Sequence, residues 1–149
     1  MMRKGLFPGS FDPFTLGHAD IVKRALRLFD EVVIAVGYNE NKTGWLSVEE
    51  RVETIKRLYK DEPRVTVESY IGLTADFARE RSITAIIRGV RTTVDFEYET
   101  QMADVNRQLS GIETIMLPAS PHLASLSSSI CRELAHFGHD ISPCLPKGK

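Results

Sequence analysis

The residues from Gly9 to His18 have the composition of a phosphate-binding loop, and they lie between a short apolar run and an amphipathic helical pattern. A glycine-containing loop that leads into a helix presents backbone N–H groups and the positive end of the helix dipole to an anion. His18 falls in the first turn of that helix, where its imidazole can donate to a phosphate oxygen. The segment therefore predicts chemistry on a nucleoside triphosphate.

Three further segments supply cations and hydroxyl groups. Lys42 follows the second apolar run, Arg88 and Arg91 follow the fourth, and residues 127 to 129 are a run of three serines that opens the last helical pattern. An arginine at the end of a buried strand needs an anionic partner, so Arg88 is a strong candidate for binding phosphate. Taken singly, His18 could be a helix cap or a surface residue, Lys42 a solvated lysine and the serines an N-cap.

Short, β-branched apolar runs alternate with helical periodicity, which is the pattern of an α/β domain. We predict a Rossmann-like, doubly wound fold, in which a five-stranded parallel sheet has helices on both faces. The predicted strands are Lys4–Pro8, Glu31–Val36, Arg64–Ser69, Thr84–Ile87 and Glu113–Leu117. The predicted helices begin before Ile21, at Ser47, at Thr74, at Val94 and near Ser127. Ligands of such sheets bind beyond the carboxyl ends of the strands, where the segments named above should meet.

Length and composition bound the function. The 149 residues fit one domain, residues 1–149, and the formal net charge of −1 offers no general attraction to nucleic acid or to an anionic membrane. We find no signal peptide and no apolar stretch of membrane-spanning length. The two cysteines, Cys131 and Cys144, have no metal or redox spacing, and we expect a cytoplasmic protein in which Cys131 is a core residue.

The motifs together resemble those of the bacterial phosphopantetheine adenylyltransferases, in the nucleotidylyltransferase superfamily that carries a T/H-x-G-H motif. The resemblance covers almost the whole chain. It is carried by Pro8-Gly9-Ser10-Phe11-Asp12-Pro13 with Gly17-His18, Glu49-Glu50-Arg51-Val52, Ile87-Arg88-Gly89-Val90-Arg91 with Asp95-Phe96-Glu97-Tyr98-Glu99, and Leu126-Ser127-Ser128-Ser129. The first motif indicates only the superfamily, whereas the block from Arg88 to Glu99 separates this family from its relatives.

The resemblance implies transfer of AMP from ATP to 4'-phosphopantetheine, giving dephospho-coenzyme A and pyrophosphate. It implies that His18 is the catalytic residue and stabilises charge in the transition state. The implied ATP-binding residues are Ser10, Phe11, His18, Gly89, Val90, Arg91, Glu99, Leu123, Ala124, Ser125, Leu126, Ser127, Ser128 and Ser129. The implied acceptor-binding residues are Ser10, Lys42, Thr74 and Arg88.

The family also implies Mg²⁺ bound with ATP, and a homohexamer. No carboxylate cluster in the sequence marks a metal site built by the protein. Two positions depart from the family pattern, since Ser10 is often threonine and Leu123 is often aromatic, and the tail is shorter than the usual terminal helix. Two alternatives remain open at this point. They are another nucleotidylyltransferase, for example one acting on nicotinate mononucleotide, and a non-catalytic ATP-binding module.

Overall fold

A computed structural model describes residues 1–147, and a five-stranded parallel sheet forms its centre. Residues 148 and 149, which the predicted domain and tail include, lie outside the described residues. The strands are β1 (Lys4–Gly9), β2 (Glu31–Gly37), β3 (Val65–Tyr70), β4 (Ala85–Val90) and β5 (Glu113–Pro118). The helices are α1 (Leu16–Ala25), α2 (Val48–Leu58), α3 (Thr74–Glu80), α4 (Thr93–Ser110) and α5 (Ser128–His136), with short 3-10 helices at Pro121–Leu123 and Ser142–Cys144.

The strand order is β3-β2-β1-β4-β5, with every neighbouring pair parallel. The chain first builds outward from β1 through β2 to β3, then returns to the other side of β1 and continues through β4 to β5. The order therefore reverses between β1 and β4, and a doubly wound sheet opens a crevice at that point. This confirms the predicted fold class.

Both faces of the sheet are covered, as β2 shows. Its alternate side chains Val32, Ile34 and Val36 are buried in the same cluster as residues of α1 and α2. Val33 and Ala35 are buried in a second cluster with residues of α3. A strand buried on both faces reads as a continuous apolar run, which is why β2 is recognisable in the sequence.

Capping residues mark the start of α2 and the end of α4 where the sequence predicts them. The Ser47 hydroxyl accepts the backbone N–H of Glu50 at 3.1 Å and caps α2. Gly111, at φ +76°, has the left-handed conformation that ends α4 and that glycine adopts without steric penalty. None of the helices within residues 1–147 is long and apolar enough to cross a membrane.

The fourth strand is longer than the prediction. The apolar run ends at Ile87, and Arg88 and the residues after it are predicted to follow the strand. In the structure Arg88, Gly89 and Val90 continue β4 and pair with Met116, Leu117 and Pro118 of β5. The backbone ladder with β5 extends the strand regardless of side-chain polarity, so Arg88 projects from a rigid strand.

The apolar stripe of α4 is not part of the core of one chain. Tyr98, Met102, Val105 and Leu109 are each between 38% and 55% exposed. Glu99 is the buried residue of this helix. From the sequence, this stripe could pack in the core or against another subunit. Its exposure excludes packing in the core of one chain.

Candidate active site

The loop between β1 and α1 holds His18 in one orientation. The Thr15 hydroxyl accepts the His18 backbone N–H at 3.3 Å, and the Thr15 backbone N–H donates to His18 Nδ1 at 2.9 Å. These reciprocal bonds form a capping box in which the imidazole replaces the usual carboxylate. Because Nδ1 accepts a hydrogen bond, the neutral ring carries its proton on Nε2. His18 is thereby fixed as an N–H donor.

Three phenyl rings surround that imidazole. The ring centroids of Phe7, Phe11 and Phe14 lie 6.1, 5.0 and 5.3 Å from that of His18. Burial among these rings lowers the pKa of His18 from 6.5 to about 3, and the charges of Arg88 and Arg91 act in the same direction. The imidazole therefore stays neutral, and keeps its Nε2 proton, throughout the physiological pH range.

Arg88 has its anionic partner within the chain. Its Nε and Nη2 donate to the two carboxylate oxygens of Glu99 at 2.7 and 2.8 Å, and its Nη1 donates to the carbonyl of Pro8. Glu99 is only 7% exposed, whereas 32% of the Arg88 side chain is exposed, so the carboxylate is buried and the guanidinium still reaches the crevice. Three of the five guanidinium N–H groups are thus engaged, and two stay available to a ligand. Arg88 is held rigidly at the crevice but retains donors for an anion.

A cavity of about 300 Å³ opens at the crevice. It brings together most of the predicted ATP-binding residues, from the β1–α1 loop, from the end of β4 and from the start of α5. Those that line it are Ser10, Phe11, His18, Gly89, Arg91, Glu99, Leu123, Leu126, Ser127, Ser128 and Ser129. Val90, Ala124 and Ser125 are not among its lining residues.

A second cavity of about 260 Å³ adjoins the first. Ser10, Thr74 and Arg88, three of the four predicted acceptor-binding residues, line it. Lys42 lines neither cavity, because its turn, closed by the Lys42 N–H donating to the Asn39 carbonyl at 3.1 Å, lies exposed beyond β2. Pro8, Gly9, Ser10, Arg88 and Glu99 line both cavities, so the two spaces meet along one wall.

Comparison with known proteins assigns the family. A family model described as cytidylyltransferase-like matches residues 6–134. The chain is 56% identical to phosphopantetheine adenylyltransferase of Phocaeicola vulgatus, over 99% of this chain and 97% of the relative. It is 55% identical to the phosphopantetheine adenylyltransferase of Bacteroides fragilis, over 99% of this chain and 98% of that one. The chain belongs to the phosphopantetheine adenylyltransferase family.

A solved structure shows the same fold at much lower identity. It is a bifunctional NMN adenylyltransferase/ADP ribose pyrophosphatase from Francisella tularensis, crystallised with AMP and Mn ion. The two chains share 17% identity and superpose with a TM-score of 0.71, over 95% of this chain and 44% of that one. The two chains therefore share the α/β fold although they differ in most of their residues.

Two residues of the candidate site, Thr15 and Arg132, were not predicted from the sequence. Thr15 is buried and orients His18, and its position three residues before His18 is the spacing of a capping box. Arg132 lines the first cavity, and its Nη1 donates to the Asp12 carbonyl at 2.6 Å. Arg132 follows Ser129 by one helical turn, so helical spacing from the serine run could have identified it.

The serines at the start of α5 differ in what they can offer a ligand. The Ser128 hydroxyl donates its proton to the Pro13 carbonyl at 2.8 Å. The Ser129 hydroxyl accepts from Arg132 Nη2 at 3.2 Å, so its proton remains available. Ser127 caps the helix by accepting the Ile130 N–H at 3.1 Å. Ser127 and Ser129 therefore each keep a hydroxyl proton that can be donated to a phosphate, whereas Ser128 does not.

The carboxylates at the site are already paired with cations. Glu99 binds Arg88, and the Asp95 carboxylate lies 3.3 Å from Arg91 Nε. Within the part of the chain that the structure describes, no group of three or more His, Cys, Asp or Glu residues is arranged to hold a metal ion. The donor set does not fit a metal centre built by side chains.

The lowered pKa of His18 makes stability depend on pH. In the unfolded chain the imidazole protonates below its ordinary pKa of 6.5, whereas in the folded protein it resists protonation down to about 3. The unfolded state then binds more protons, so the free energy of unfolding falls as pH drops from 6.5 toward 3. In His18→Asn the amide oxygen can still accept the Thr15 N–H, but nothing titrates. Between pH 7.5 and pH 5.0, we expect the free energy of unfolding of this variant to fall by about 1 to 2 kcal/mol less than that of wild type.

Urea unfolding at the two pH values and constant ionic strength measures this difference. Parallel losses in the two proteins would mean that the folded imidazole titrates near its ordinary pKa, and would contradict the neutral donor.

Proposed function

We propose that this protein transfers AMP from ATP to the phosphate of 4'-phosphopantetheine, forming dephospho-coenzyme A and pyrophosphate, which is the penultimate step of coenzyme A synthesis. The observation that carries the proposal is the pair of adjoining cavities with Ser10 and Arg88 in their common wall. A nucleotide in the first cavity and a phosphorylated acceptor in the second would meet at these two residues. The family relatives, which bear the name of this activity, support the same reaction.

The reaction is a direct in-line displacement. An oxygen of the acceptor phosphate forms a bond to the α-phosphorus of ATP, the bond from that phosphorus to the oxygen bridging to the β-phosphate breaks, and pyrophosphate leaves with the electron pair. A phosphate monoester has a second pKa of about 6, so the nucleophile is already ionised at neutral pH and needs no protein base. Positioning and charge stabilisation are then sufficient for catalysis.

His18 suits this mechanism because it is a donor and a poor base. Its Nε2–H would donate to an α-phosphate oxygen as negative charge builds in the transition state. A pKa of about 3 keeps the imidazole neutral, so its proton is present at every working pH. Ser10, Arg91 and Ser129, together with the N-terminus of α5, would bind the rest of the triphosphate.

The second cavity has features that suit a polar, elongated acceptor. The two N–H groups of Arg88 that Glu99 and Pro8 leave available would bind its phosphate. Asn106 lines the same cavity, and its side-chain amide can both donate and accept hydrogen bonds. Such a group suits a ligand with amide groups, as a pantetheine arm has. Thr74 would contact this arm, and Lys42 would reach the phosphate from its exposed turn.

Mg²⁺ would enter as the complex with ATP. The carboxylates at the site are engaged by arginines, so the triphosphate oxygens would supply the metal with its ligands. Bound there, Mg²⁺ would neutralise triphosphate charge.

The proposed compartment is the cytoplasm. ATP is the donor, and both Cys131 and Cys144 are free thiols. Free thiols are typical of proteins in a reducing compartment.

The proposed assembly is a homohexamer. The exposed stripe of Tyr98, Met102, Val105 and Leu109 on α4 is a row of large apolar side chains of the kind that subunit interfaces cover. Light scattering coupled to gel filtration should then give a mass of about 100 kDa, six times the 16.7 kDa of one chain. A mass equal to that of one chain would rule the hexamer out.

A pyrophosphate-release assay with purified protein, ATP and Mg²⁺ tests the reaction. We expect release with 4'-phosphopantetheine and none with nicotinate mononucleotide, because Arg88 and the second cavity are shaped for the former. Release only with the mononucleotide would assign the protein to another nucleotidylyltransferase activity. ATP binding without release in either tube would identify a non-catalytic module.

His18→Ala tests the transition-state donor. Loss of one oriented donor to developing charge costs on the order of 100-fold or more in kcat, and we expect a loss of at least about that size, with a smaller change in the KM for ATP. His122→Ala, which changes an exposed histidine outside both cavities, is the matched control and should retain full activity. A folded His18→Ala protein with unchanged kcat would remove His18 from catalysis.

A further inference from the structure

We propose that Asp12 and Arg51 are positioning residues that lock the nucleotide loop, residues 9 to 15, to the acceptor loop, residues 38 to 46, which carries Lys42. We call this pair the loop clamp. The proposal rests on the proposed function, since it concerns how the residues of the two substrates are held in register. Neither residue lines either of the two cavities described above, so the clamp acts through the loops and not by touching substrate there.

The Asp12 carboxylate holds the far end of the acceptor loop. Its Oδ2 accepts the Trp45 backbone N–H and its Oδ1 accepts the Leu46 backbone N–H, each at 2.8 Å. Asp12 is 7% exposed, and hydrogen bonds from two N–H groups to a buried carboxylate are charge-assisted and strong. The acceptor loop therefore has its second attachment point on the nucleotide loop itself. Its first is the Tyr38 N–H, which donates to the Tyr70 carbonyl at 3.2 Å.

Arg51 joins the same two loops from α2. Its Nη1 donates to the Ser10 carbonyl and its Nε to the Leu46 carbonyl, both at 3.0 Å. Its Nε also lies 3.9 Å from Asp12 Oδ1. One rigid guanidinium thus spans from Leu46 to Ser10, which lines both cavities. A shift of Arg51 would move both loops together.

The burial of this ion pair is better explained by positioning than by stability. Arg51 and Asp12 are each 7% exposed, and removing two charges from water offsets most of their attraction. Phe11 lies in the chain between Ser10, whose carbonyl Arg51 binds, and Asp12, and its φ of +49° is a left-handed conformation that non-glycine residues rarely adopt. Such strain persists only where the surroundings determine the backbone, and it is common at ligand sites. The bond from Arg51 to the Ser10 carbonyl and the bonds to the Asp12 carboxylate fix the chain on both sides of Phe11.

Gly44 shows how closely the acceptor loop packs on the clamp. A Cβ placed there would lie 2.5 Å from Arg51 Nη2, 2.8 Å from Asp12 Oδ2 and 2.9 Å from the Leu46 carbonyl oxygen. The first two atoms belong to the loop clamp, and the third belongs to the acceptor loop. Gly44 is two residues from Lys42, so a side chain at position 44 would displace the lysine's loop without altering Lys42 itself.

Steady-state kinetics on Arg51→Lys and Gly44→Ala test the clamp. Lysine cannot donate from one rigid fork to both carbonyls, and the alanine methyl forces the loops apart. We expect the KM for phosphopantetheine to rise on the order of tenfold in both variants, because misplaced binding groups act on the substrate they hold. The KM for ATP should change less than about threefold in Gly44→Ala, which displaces the acceptor loop, and should also rise in Arg51→Lys, because Arg51 bonds Ser10 of the nucleotide loop. Arg57→Lys, an exposed arginine of the same helix, and Thr43→Ala, beside Gly44, are controls that should behave as wild type.

A double-mutant cycle with Lys42→Ala distinguishes positioning from general damage. If the clamp acts through Lys42, Gly44→Ala should add less than about twofold to the KM of a Lys42→Ala protein. A multiplied effect, or an unchanged KM in the folded single variants, would overturn the clamp as the device that places Lys42.

Hydrogen exchange without substrate separates this proposal from the proposed function. We expect the Trp45 and Leu46 amides to be protected in wild type and to lose at least tenfold of that protection in Gly44→Ala, while the amides within α2 keep theirs. Equal protection in the two proteins would overturn the clamp. Wild-type protein that showed the protected amides but released no pyrophosphate with phosphopantetheine would instead contradict the proposed function.

Discussion

The loop from Gly9 to Thr15 is the constraint on which much of the site depends, because α2, the acceptor loop and α5 are all bonded to it. Arg51 of α2 binds the Ser10 carbonyl, Asp12 binds the acceptor loop, and Arg132 and Ser128 of α5 bind the carbonyls of Asp12 and Pro13. The loop therefore ties both halves of the sheet together at the crevice. Its backbone polar groups are satisfied by side chains from distant elements, which allows an irregular segment to be rigid.

Around this loop, carboxylates pair with arginines and orient them without engaging all of their N–H donors. Glu99 grips Arg88 by two hydrogen bonds, and Asp95 holds Arg91. A planar guanidinium can satisfy a carboxylate with one edge and still donate from another, which a lysine cannot. The arginines thus stay fixed at the edge of the sheet in the absence of ligand. Their positive field also contributes to keeping His18 neutral.

Two kinds of contact explain why His18 is neutral. The phenyl rings of Phe7, Phe11 and Phe14 remove water from the imidazole, and the Thr15 backbone N–H occupies its Nδ1. Together they leave a single N–H donor pointing from the helix N-terminus. A reaction whose nucleophile is already ionised needs such a donor and has no use for a base.

Much of this protein could be predicted from its sequence by local physics. The β-branched run of β2, the Ser47 cap and the Gly111 stop each act over a few residues, so the predicted elements and the parallel sheet are confirmed. The apolar run of β4 ends at Ile87, and the strand continues to Val90 because the ladder with β5, a nonlocal interaction, extends it. The prediction that Gly9 to His18 bind phosphate is equally local, since it follows from a glycine loop before a helix.

The tertiary structure alone decided which partners these residues have. The sequence predicts an anion beside Arg88, and the fold supplies Glu99, eleven positions later and nearly two turns into α4. Two N–H groups of the guanidinium stay available to a ligand. The clamp joins Asp12 to residues more than thirty positions away, which no local pattern reveals. The positions of the predicted ATP and acceptor residues, and the exposed place of Lys42, likewise follow from how loops meet in space. Sequence patterns report on neighbours along the chain, whereas a site between two substrates depends on contacts across it.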